Sequence, residues 1–534
     1  MSGIPQQQQA VQLVGPDELR VNNAKPVCEP GPYQVLAKVE VTGLCFSDLK
    51  LLKQFSGHAR KSAVAGGIDP QVLSEMPNYV PGDQPAVPGH ETVVRIVRAG
   101  SKVQRHKVGE RYLVQTDYRW LPTASSNAAF GYNFEGALQE YVLMDERVII
   151  SPAGESMLIA VPEDLPGSAI ALIEPWACVE NSYVETQRQT LKEGGRVLAI
   201  GDSPVEESSL RNVPGHPSFM KVTTIGQIAE VEGASFDDVI YFGSNAASVE
   251  CLFPQLAAGG LLNIVQGGGK FGRPVVTPVG RIHYGGIRII GTRSRNPESA
   301  MAAIPPTVEI RPRDRINIVG AAGPMGSMHV VRALCQGVEG VKVFAGDLSE
   351  ERLAALRRLA EPLARKNRLA LTLYDPSNGT PPGPFNYIVL MAPIAALIPR
   401  AIASADRGAI INIFAGIPAD TKIAIDLDTY IDEQLYFVGT SGSLLSDMKR
   451  VLAKVVARKL DTNLLVAAVS GLDGAIDGIR AVEKNLMNGK ILVYPSCRGL
   501  QLKPLDMLGT DVPLENGHWN LRAEEALLRI YGHG

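Results

Sequence analysis

RINIVGAAGPMGSMHVVRALC, residues 315–335, is the stretch that decides the fold. An apolar run, Ile316 to Val319, enters a turn of Gly320, two alanines, Gly323, Pro324, Met325 and Gly326. Apolar residues at helical spacing follow. Glycines in such a turn let the backbone bend sharply and let a pyrophosphate approach the helix N-terminus, whose free N–H groups and dipole favour anions. The next apolar run, VKVFAGD, ends in Asp347, 21 residues after Gly326. An acid there can hydrogen-bond both ribose hydroxyls and repels a 2′-phosphate, so NAD is the expected cofactor and NADP the less favoured one. A glycine turn alone is weak evidence. Strand, turn, helix, strand and acid in that order predict a dinucleotide-binding unit, with Gly320, Gly323, Pro324, Met325, Gly326 and Asp347 on the cofactor. Ala321 departs from the usual pattern, standing where its first glycine would be.

The continuation of this unit has a counterpart upstream. FNYIVLMAPIAALIPRAIASADRGAIINIFAGI, from Phe385, is followed by YIDEQLYFVGTSGS; FDDVIYFGSNAASVECLFPQLAAGGLLNIVQGG, from Phe236, is followed by IHYGGIRIIGTRS. Both read strand, helix, Gly, strand, loop and a strand ending in Gly-Thr, which predicts an internal duplication; a chance likeness of two α/β segments is the alternative. The front ends differ. From Gly320 to Ile388 there are 68 positions, but from Gly201 to Ile240 only 39. The first copy's opening strand, GRVLAIG, runs into DSPVEESSLRNVPGH, which carries no glycine fingerprint. The first copy is expected to have lost the part that grips a dinucleotide.

Before residue 150 the style is different: short apolar runs such as VLAKVEVTGL, ETVVRIVRAG and GERYLVQT, broken by Gly/Pro turns, predict a β-rich domain. Between Asp48 and Pro88 the Gly- and Pro-rich stretch, with GHARK and PNYVPGDQPAVP, argues against regular structure. GLCFSDLK supplies Cys45, Ser47 and Asp48; VPGHETV supplies His90 and Glu91; ALIEPWACVENSY supplies Glu174. A thiolate, an imidazole and a carboxylate suit Zn²⁺ with one position left open. Alone, Cys45 would read as a small buried hydrophobe and His90 as a satisfied turn residue; together the set points to a metal.

Composition narrows the classes. The 534 residues call for two to four domains, and 45% hydrophobic with 20% charged residues is ordinary for a globular protein. A net charge of −3, with no basic stripe, gives no reason to expect nucleic acid. No apolar run of about 18 residues predicts a membrane span. Met1 to Gln9 is polar and reads as no secretory leader. Six cysteines without a CxxC pair fit a reducing compartment, so the cytoplasm is the expectation.

GLCFSDLK, PGHE, VGERY, GALQEYV, the Glu-Pro of IEPWACV, GPMG and GKILVYP occur in an order that resembles the zinc-containing medium-chain dehydrogenases, nearest to the sorbitol and threonine dehydrogenase branch. GPMGSMH with RIHYGGIRIIGT also resembles the sorbose-1-phosphate type of reductase. The likeness covers roughly residues 11–165 and 309–508. It implies one catalytic zinc per chain with Cys45 and His90 as ligands, Glu91 as a ligand or close neighbour, and Glu174 as a ligand or a carboxylate holding water. Ser47 would pass the substrate proton outward and Asp48 would orient His90. The four-cysteine lobe that holds a structural zinc in many relatives is absent, since 118–136 contains no cysteine. Cys45 and His90 are 45 residues apart, a wider interval than in the liver-alcohol-dehydrogenase type. The extra stretch, with His58, Arg60, Lys61 and Tyr79, either closes over substrate or is a solvated insertion. If a sugar phosphate is bound, Arg60 and Lys61 would pair with its phosphate.

The expected fold class is α/β: a GroES-like β-rich catalytic domain, 1–165, completed by 466–508, then two tandem Rossmann-like doubly wound parallel sheets. The first sheet, at 166–308, is degenerate, the second, at 309–465, binds NAD, and 509–534 is a tail. The expected function is hydride transfer between NAD(H) and a small alcohol, polyol, sugar or sugar phosphate. A zinc-free reductase of the same superfamily and a non-catalytic dinucleotide sensor are the alternatives. Relatives of this kind dimerise through the last strand of the cofactor sheet. The matching strands here, IRIIG at 287–291 and LYFVG at 435–439, are expected to pair within the chain as a pseudo-dimer. Homo-oligomers through other surfaces, such as the amphipathic NLRAEEALLRIYG from Asn520, stay open.

Overall fold

The computed structural model describes residues 3–61, 65–124, 126–231 and 233–533. They form two compact units, Met1–Ala177 with Ser443–Gly534, and Cys178–Gly442. Every cysteine is a free thiol. No helix among the described residues is long and apolar enough to cross a membrane.

The first unit is built on an eight-stranded sheet around the strand Gln34–Gly43. Alternate residues of that strand, Val35, Ala37 and Val39, enter a core with Tyr112, Phe130 and Phe134. Two registers at its far end matter most. Gly43 lies opposite Glu91, the first residue of the antiparallel strand Glu91–Ala99. On the other side Leu492, of the strand Lys490–Val493, also lies opposite Gly43. Three segments distant in sequence are thereby drawn to one strand end. A Cβ at Gly43 would fall 2.2 Å from Glu91 Oε2, so a larger residue there would displace that carboxylate.

The stretch expected to be irregular begins inside a helix, Phe46–Gln54, and holds a short second one, Pro70–Ser74, before running on in turns. It is no solvated insertion: Leu49, Leu51, Leu52, Phe55, Leu73, Met76 and Val80 are buried. The expected tail is not separate either. The helix Leu521–Tyr531 presents Glu524, which accepts from the N–H groups of Gly167 (2.6 Å) and Ser168 (2.8 Å) and from the Tyr494 hydroxyl. Two donors left free at the start of the helix Gly167–Ala171 are satisfied in this way. The helix Leu445–Val456 also packs in the first unit, although the sequence grouped it with the cofactor sheet.

The second unit contains two parallel sheets. The five-stranded one runs Phe219–Thr224, Arg196–Gly201, Phe236–Phe242, Leu256–Val265, Arg288–Thr292. The six-stranded one runs Ala370–Tyr374, Lys342–Gly346, Arg315–Val319, Phe385–Leu390, Ala405–Ile413, Tyr436–Val438. Strand for strand the orders correspond, as the duplication requires. After its opening strand the first copy has only a single turn, Glu207–Leu210, where the second has the 12-residue helix Pro324–Cys335. Where the second copy has the 18-residue helix Glu350–Asn367, the first has the seven-residue 3-10 segment Ile225–Val231, and the strand Ala370–Tyr374 has no counterpart.

The copies meet along their last strands and share one hydrophobic core, so the expected boundary at 308/309 lies inside a single unit. Val275–Thr277 pairs antiparallel with Ile423–Ile425. The expected backbone ladder between the two terminal strands is replaced by a side chain. The buried Tyr430 hydroxyl donates to the Ile289 carbonyl (2.8 Å) and accepts from the Phe437 N–H (3.0 Å). The helix Leu427–Asp432 packs so tightly there that a Cβ on Gly291 would strike Ile431 at 2.7 Å. Arg293 fastens the same seam to Asp432 (2.7 Å), and the Asp428 carboxylate accepts from Gln266 Nε2 and the backbone N–H groups of Phe271 and Gly272.

Candidate metal centre and cofactor turn

Cys45 stands in extended conformation just before the helix Phe46–Gln54, and its N–H donates to Asp48 Oδ2 at 3.0 Å. The other Asp48 oxygen lies 3.0 Å from His90 Nδ1. One buried carboxylate thus caps the helix and fixes the imidazole, leaving Nε2 to face Ser47 Oγ at 3.2 Å. Ser47 Oγ also donates to Cys45 Sγ at 3.0 Å. Burial disfavours a charged His90, but Asp48 outweighs it and holds the pKa well above the ordinary value. Burial likewise acts to raise the Asp48 pKa, and His90 overrides it and brings it down.

Cys45, His90 and Glu91 each offer one ligand atom, and the three lie within 4.8 Å of one another. Glu91 is fully buried. Its Oε1 takes the Lys490 ammonium at 2.6 Å, while Oε2 has no hydrogen-bond partner among the described residues. A buried carboxylate oxygen without a donor is costly, and a cation at the thiolate and imidazole would satisfy it. The residues therefore fit a zinc ion. Burial works against the charge on Lys490, but Glu91 and Cys45 raise its pKa. Glu174, in the first turn of the helix Ile173–Val184, is buried but stands outside the group of three. Burial pushes its pKa up to about 7; His90 opposes the shift and Glu91 adds to it.

Three neighbours went unassigned in the sequence: Lys490, Tyr132 and Asp117. Lys490 sits in a quoted motif, but only strand register brings it to Glu91. The Tyr132 ring is 5.8 Å from that of His90 and 5.1 Å from that of His58. Asp117 pairs with Arg60 at 2.6 Å. Of the two cations expected to meet a phosphate, Lys61 is excluded. It is fully buried and donates to the carbonyls of Val80 (2.5 Å) and Gln84 (2.7 Å), clamping its own loop. The Tyr79 hydroxyl accepts from the Ala65 N–H and is likewise structural.

In the second unit the glycine turn is formed as its residues dictate. Gly320 has φ of 82°, a conformation that favours glycine. Gly323 precedes the helix, Pro324 takes its first position, Met325 is half-buried, and a Cβ on Gly323 would meet nothing within 4 Å. A Cβ on Gly326 would fall 2.4 Å from the Gly320 carbonyl oxygen, so this glycine is what lets helix and strand close. Asp347 follows the strand Lys342–Gly346; its carboxylate accepts from the N–H groups of Ala322 and Ser349, both at 3.1 Å. The open space at Gly323 beside free helix N–H groups fits a dinucleotide pyrophosphate.

The family described as the alcohol dehydrogenase GroES-like domain matches residues 31–153. A sorbitol dehydrogenase of Halalkalibacterium halodurans is 25% identical over 210 residues, 37% of this chain and 51% of its own. An L-sorbose 1-phosphate reductase of Klebsiella pneumoniae is 27% identical over 237 residues, 41% of this chain and 56% of its own. The chain therefore spans little more than half the length of these relatives. The solved 2R,3R-butanediol dehydrogenase of Bacillus subtilis shares the fold: TM-score 0.54 at 16% identity, over 91% of this chain and 99% of that one. The chain thus combines a GroES-like domain with Rossmann-type parallel sheets, the fold it shares with that butanediol dehydrogenase. The GroES-like match and these relatives make the chain similar to the zinc-type medium-chain dehydrogenases over the parts they cover.

Proposed function

We propose that the chain is a zinc-dependent oxidoreductase that moves hydride between NAD(H) and a secondary alcohol or ketone of a polyol, sugar or sugar phosphate. The observation that carries this reading is the convergence of Cys45, His90 and Glu91, with a buried Glu91 oxygen left unpartnered. Those three would hold the ion, with Glu174 close by; zinc, when bound, supplies Lewis-acid polarisation of the substrate oxygen. Asp48 keeps His90 in the tautomer that offers Nε2. Ser47 Oγ, beside Cys45 Sγ and His90 Nε2, is placed to take the substrate hydroxyl proton and pass it outward. Lys490 balances the charge of Glu91. Gly320, Gly323, Pro324, Met325, Gly326 and Asp347 would seat the dinucleotide, Asp347 favouring NAD over NADP. The names of the sorbitol and sorbose-1-phosphate relatives support the substrate class.

The test is metal analysis together with NAD⁺ reduction against a panel of polyols and their phosphates. One zinc per chain is expected, and Cys45→Ser should strip or weaken it and cut turnover at least 100-fold, with the fold retained by circular dichroism. Full activity in a metal-free preparation would sink the proposal. The first sheet is read as a stand-in for a partner subunit, because the Tyr430 bridge and the strand pair Val275–Thr277 with Ile423–Ile425 close the edge through which relatives dimerise.

A further inference from the structure

The segment between Cys45 and His90 brings two side chains beside the metal centre that the proposed reaction does not use. Arg60 and His58 both rest on the Tyr132 ring, at 5.2 Å from guanidinium carbon to ring centroid and 5.1 Å between rings. The same ring also lies 5.8 Å from the imidazole of His90. Lys61 shows how the segment is anchored, since its buried ammonium ties the chain immediately after Arg60 to the Val80 and Gln84 carbonyls. Arg60 itself is not consumed by structure. Its side chain is 24% exposed, and it makes a single ion pair, Nη1 to Asp117 Oδ1 at 2.6 Å. The rest of its planar N–H fork has no protein partner among the described residues.

His58 adds a second donor. Its Nδ1 accepts the Arg60 backbone N–H at 3.2 Å, and burial with the nearby Arg60 and Lys50 pushes its pKa down to about 4, so it is neutral. A neutral imidazole that accepts at Nδ1 carries its proton at Nε2. The cluster therefore presents hydrogen-bond donors. It is also positive in balance, because Asp117 faces two guanidiniums, Arg60 and, at 3.6 Å, Arg119. Glu174 exerts only a weaker pull on Arg60.

We propose that Arg60 and His58 form an anion-reading subsite beside the metal centre, which selects alcohols whose carbon chain carries a carboxylate or phosphate group. The guanidinium fork would take two oxygens of that group and His58 Nε2–H a third. This rests on the oxidoreductase reading for the identity of the reacting group, but the subsite stands on its own geometry.

The experiment uses the zinc-loaded, NADH-saturated full-length protein. Equilibrium binding of sorbitol, sorbitol 6-phosphate and gluconate is measured for the wild type, Arg60→Gln, Arg60→Lys and His58→Gln, with metal content and circular dichroism recorded for each. At least one anionic probe should bind about tenfold more tightly than sorbitol to the wild type. Arg60→Gln should collapse that ratio toward one, Arg60→Lys should restore part of it, and His58→Gln should reduce it by a smaller factor; the phosphate and carboxylate arms tell which anion is read. Equal binding of the three probes, no binding of any, or a ratio that survives Arg60→Gln would overturn the proposal. Turnover separates the two readings. Equal kcat/KM on neutral and anionic alcohols refutes the subsite and leaves the oxidoreductase. Arg60-dependent binding with no NAD⁺ reduction on any alcohol refutes the oxidoreductase and leaves the subsite.

Discussion

The two sheets of the second unit share the order of five strands and differ most at the turn after the opening strand, which separates the proposed cofactor site from a scaffold. In the second copy the strand Arg315–Val319 opens into Gly320 to Gly326, and the space at Gly323 is clear. In the first copy Gly201 is followed by Asp202, whose carboxylate accepts from the Tyr241 hydroxyl (2.8 Å) and Ser248 Oγ (3.0 Å). A carboxylate in place of a glycine cradle repels phosphate and fills the room it would take. The strands behind it remain regular because they are held by the shared core, with Leu198, Ile200, Val239 and Ile264 still buried. Loss of a ligand site need not loosen a sheet whose other edge is packed.

The largest effect expected from this contrast is at Gly326. Gly326→Val would force a side chain against the Gly320 carbonyl and should weaken NAD⁺ binding by roughly 100-fold or more, read by fluorescence titration of NADH. Asp202→Asn in the first copy should change neither affinity nor the stoichiometry of one dinucleotide per chain. Two bound dinucleotides, or a loss of binding in Asp202→Asn, would break the comparison.

Next comes the seam that joins the copies. Tyr430→Phe leaves the buried Ile289 carbonyl and Phe437 N–H without their shared partner and should cost about 2 kcal/mol in denaturant unfolding. A change under about 0.5 kcal/mol would mean that the strands rearrange to bond directly. Asp347→Ala should follow at about tenfold weaker NADH binding. Because Asp347 also holds the Ala322 N–H, the control is NADPH, whose affinity should fall less or rise. Equal losses for both cofactors would assign the residue to the turn alone.

How much of this could be read from the chain follows the range of the interactions. The strand, glycine turn and helix from Arg315 to Cys335 were legible because they and the acid Asp347 lie close in sequence, and the shortened first copy was legible as a missing 29 positions. Cys45, His90 and Glu91 were found by motif, and the register of Gly43 with Glu91 explains why they meet. Lys490 could not be found, since only the antiparallel pairing of Lys490–Val493 with Gln34–Gly43 brings it in. Arg60 and Lys61 were indistinguishable as adjacent cations; one is a clamp and the other faces Tyr132 because of which carbonyls the fold supplies. The seam was foreseen as a ladder and turned out as a tyrosine bridge, since a helix wedged beside Gly291 is a packing fact with no local signature.

The smallest expected effect lies under the helix Pro324–Cys335 of the second copy, which carries a fully buried histidine. His329 is fully buried on the helix Pro324–Cys335, with Nδ1 2.7 Å from the Tyr183 hydroxyl and the Phe414 ring 4.6 Å away. Burial, helped by the charge of Arg332, pushes its pKa down to about 3. The imidazole is therefore neutral in the folded protein near pH 6, while in the unfolded chain it takes up a proton near its ordinary value of about 6.5. The unfolded state binds more protons throughout the window from about 6.5 down to 3, so stability must fall as the solution is acidified through it. Between pH 7.5 and pH 6 the loss should be on the order of 1 kcal/mol, and it grows below that. His329→Gln cannot titrate and should flatten this part of the stability profile while Tyr183 keeps an acceptor. Asp202→Asn in the first copy should leave the slope as it was. An unchanged slope in His329→Gln would show that the imidazole picks up its proton inside the folded protein, and that the packing beneath the helix Pro324–Cys335 is looser than its burial implies.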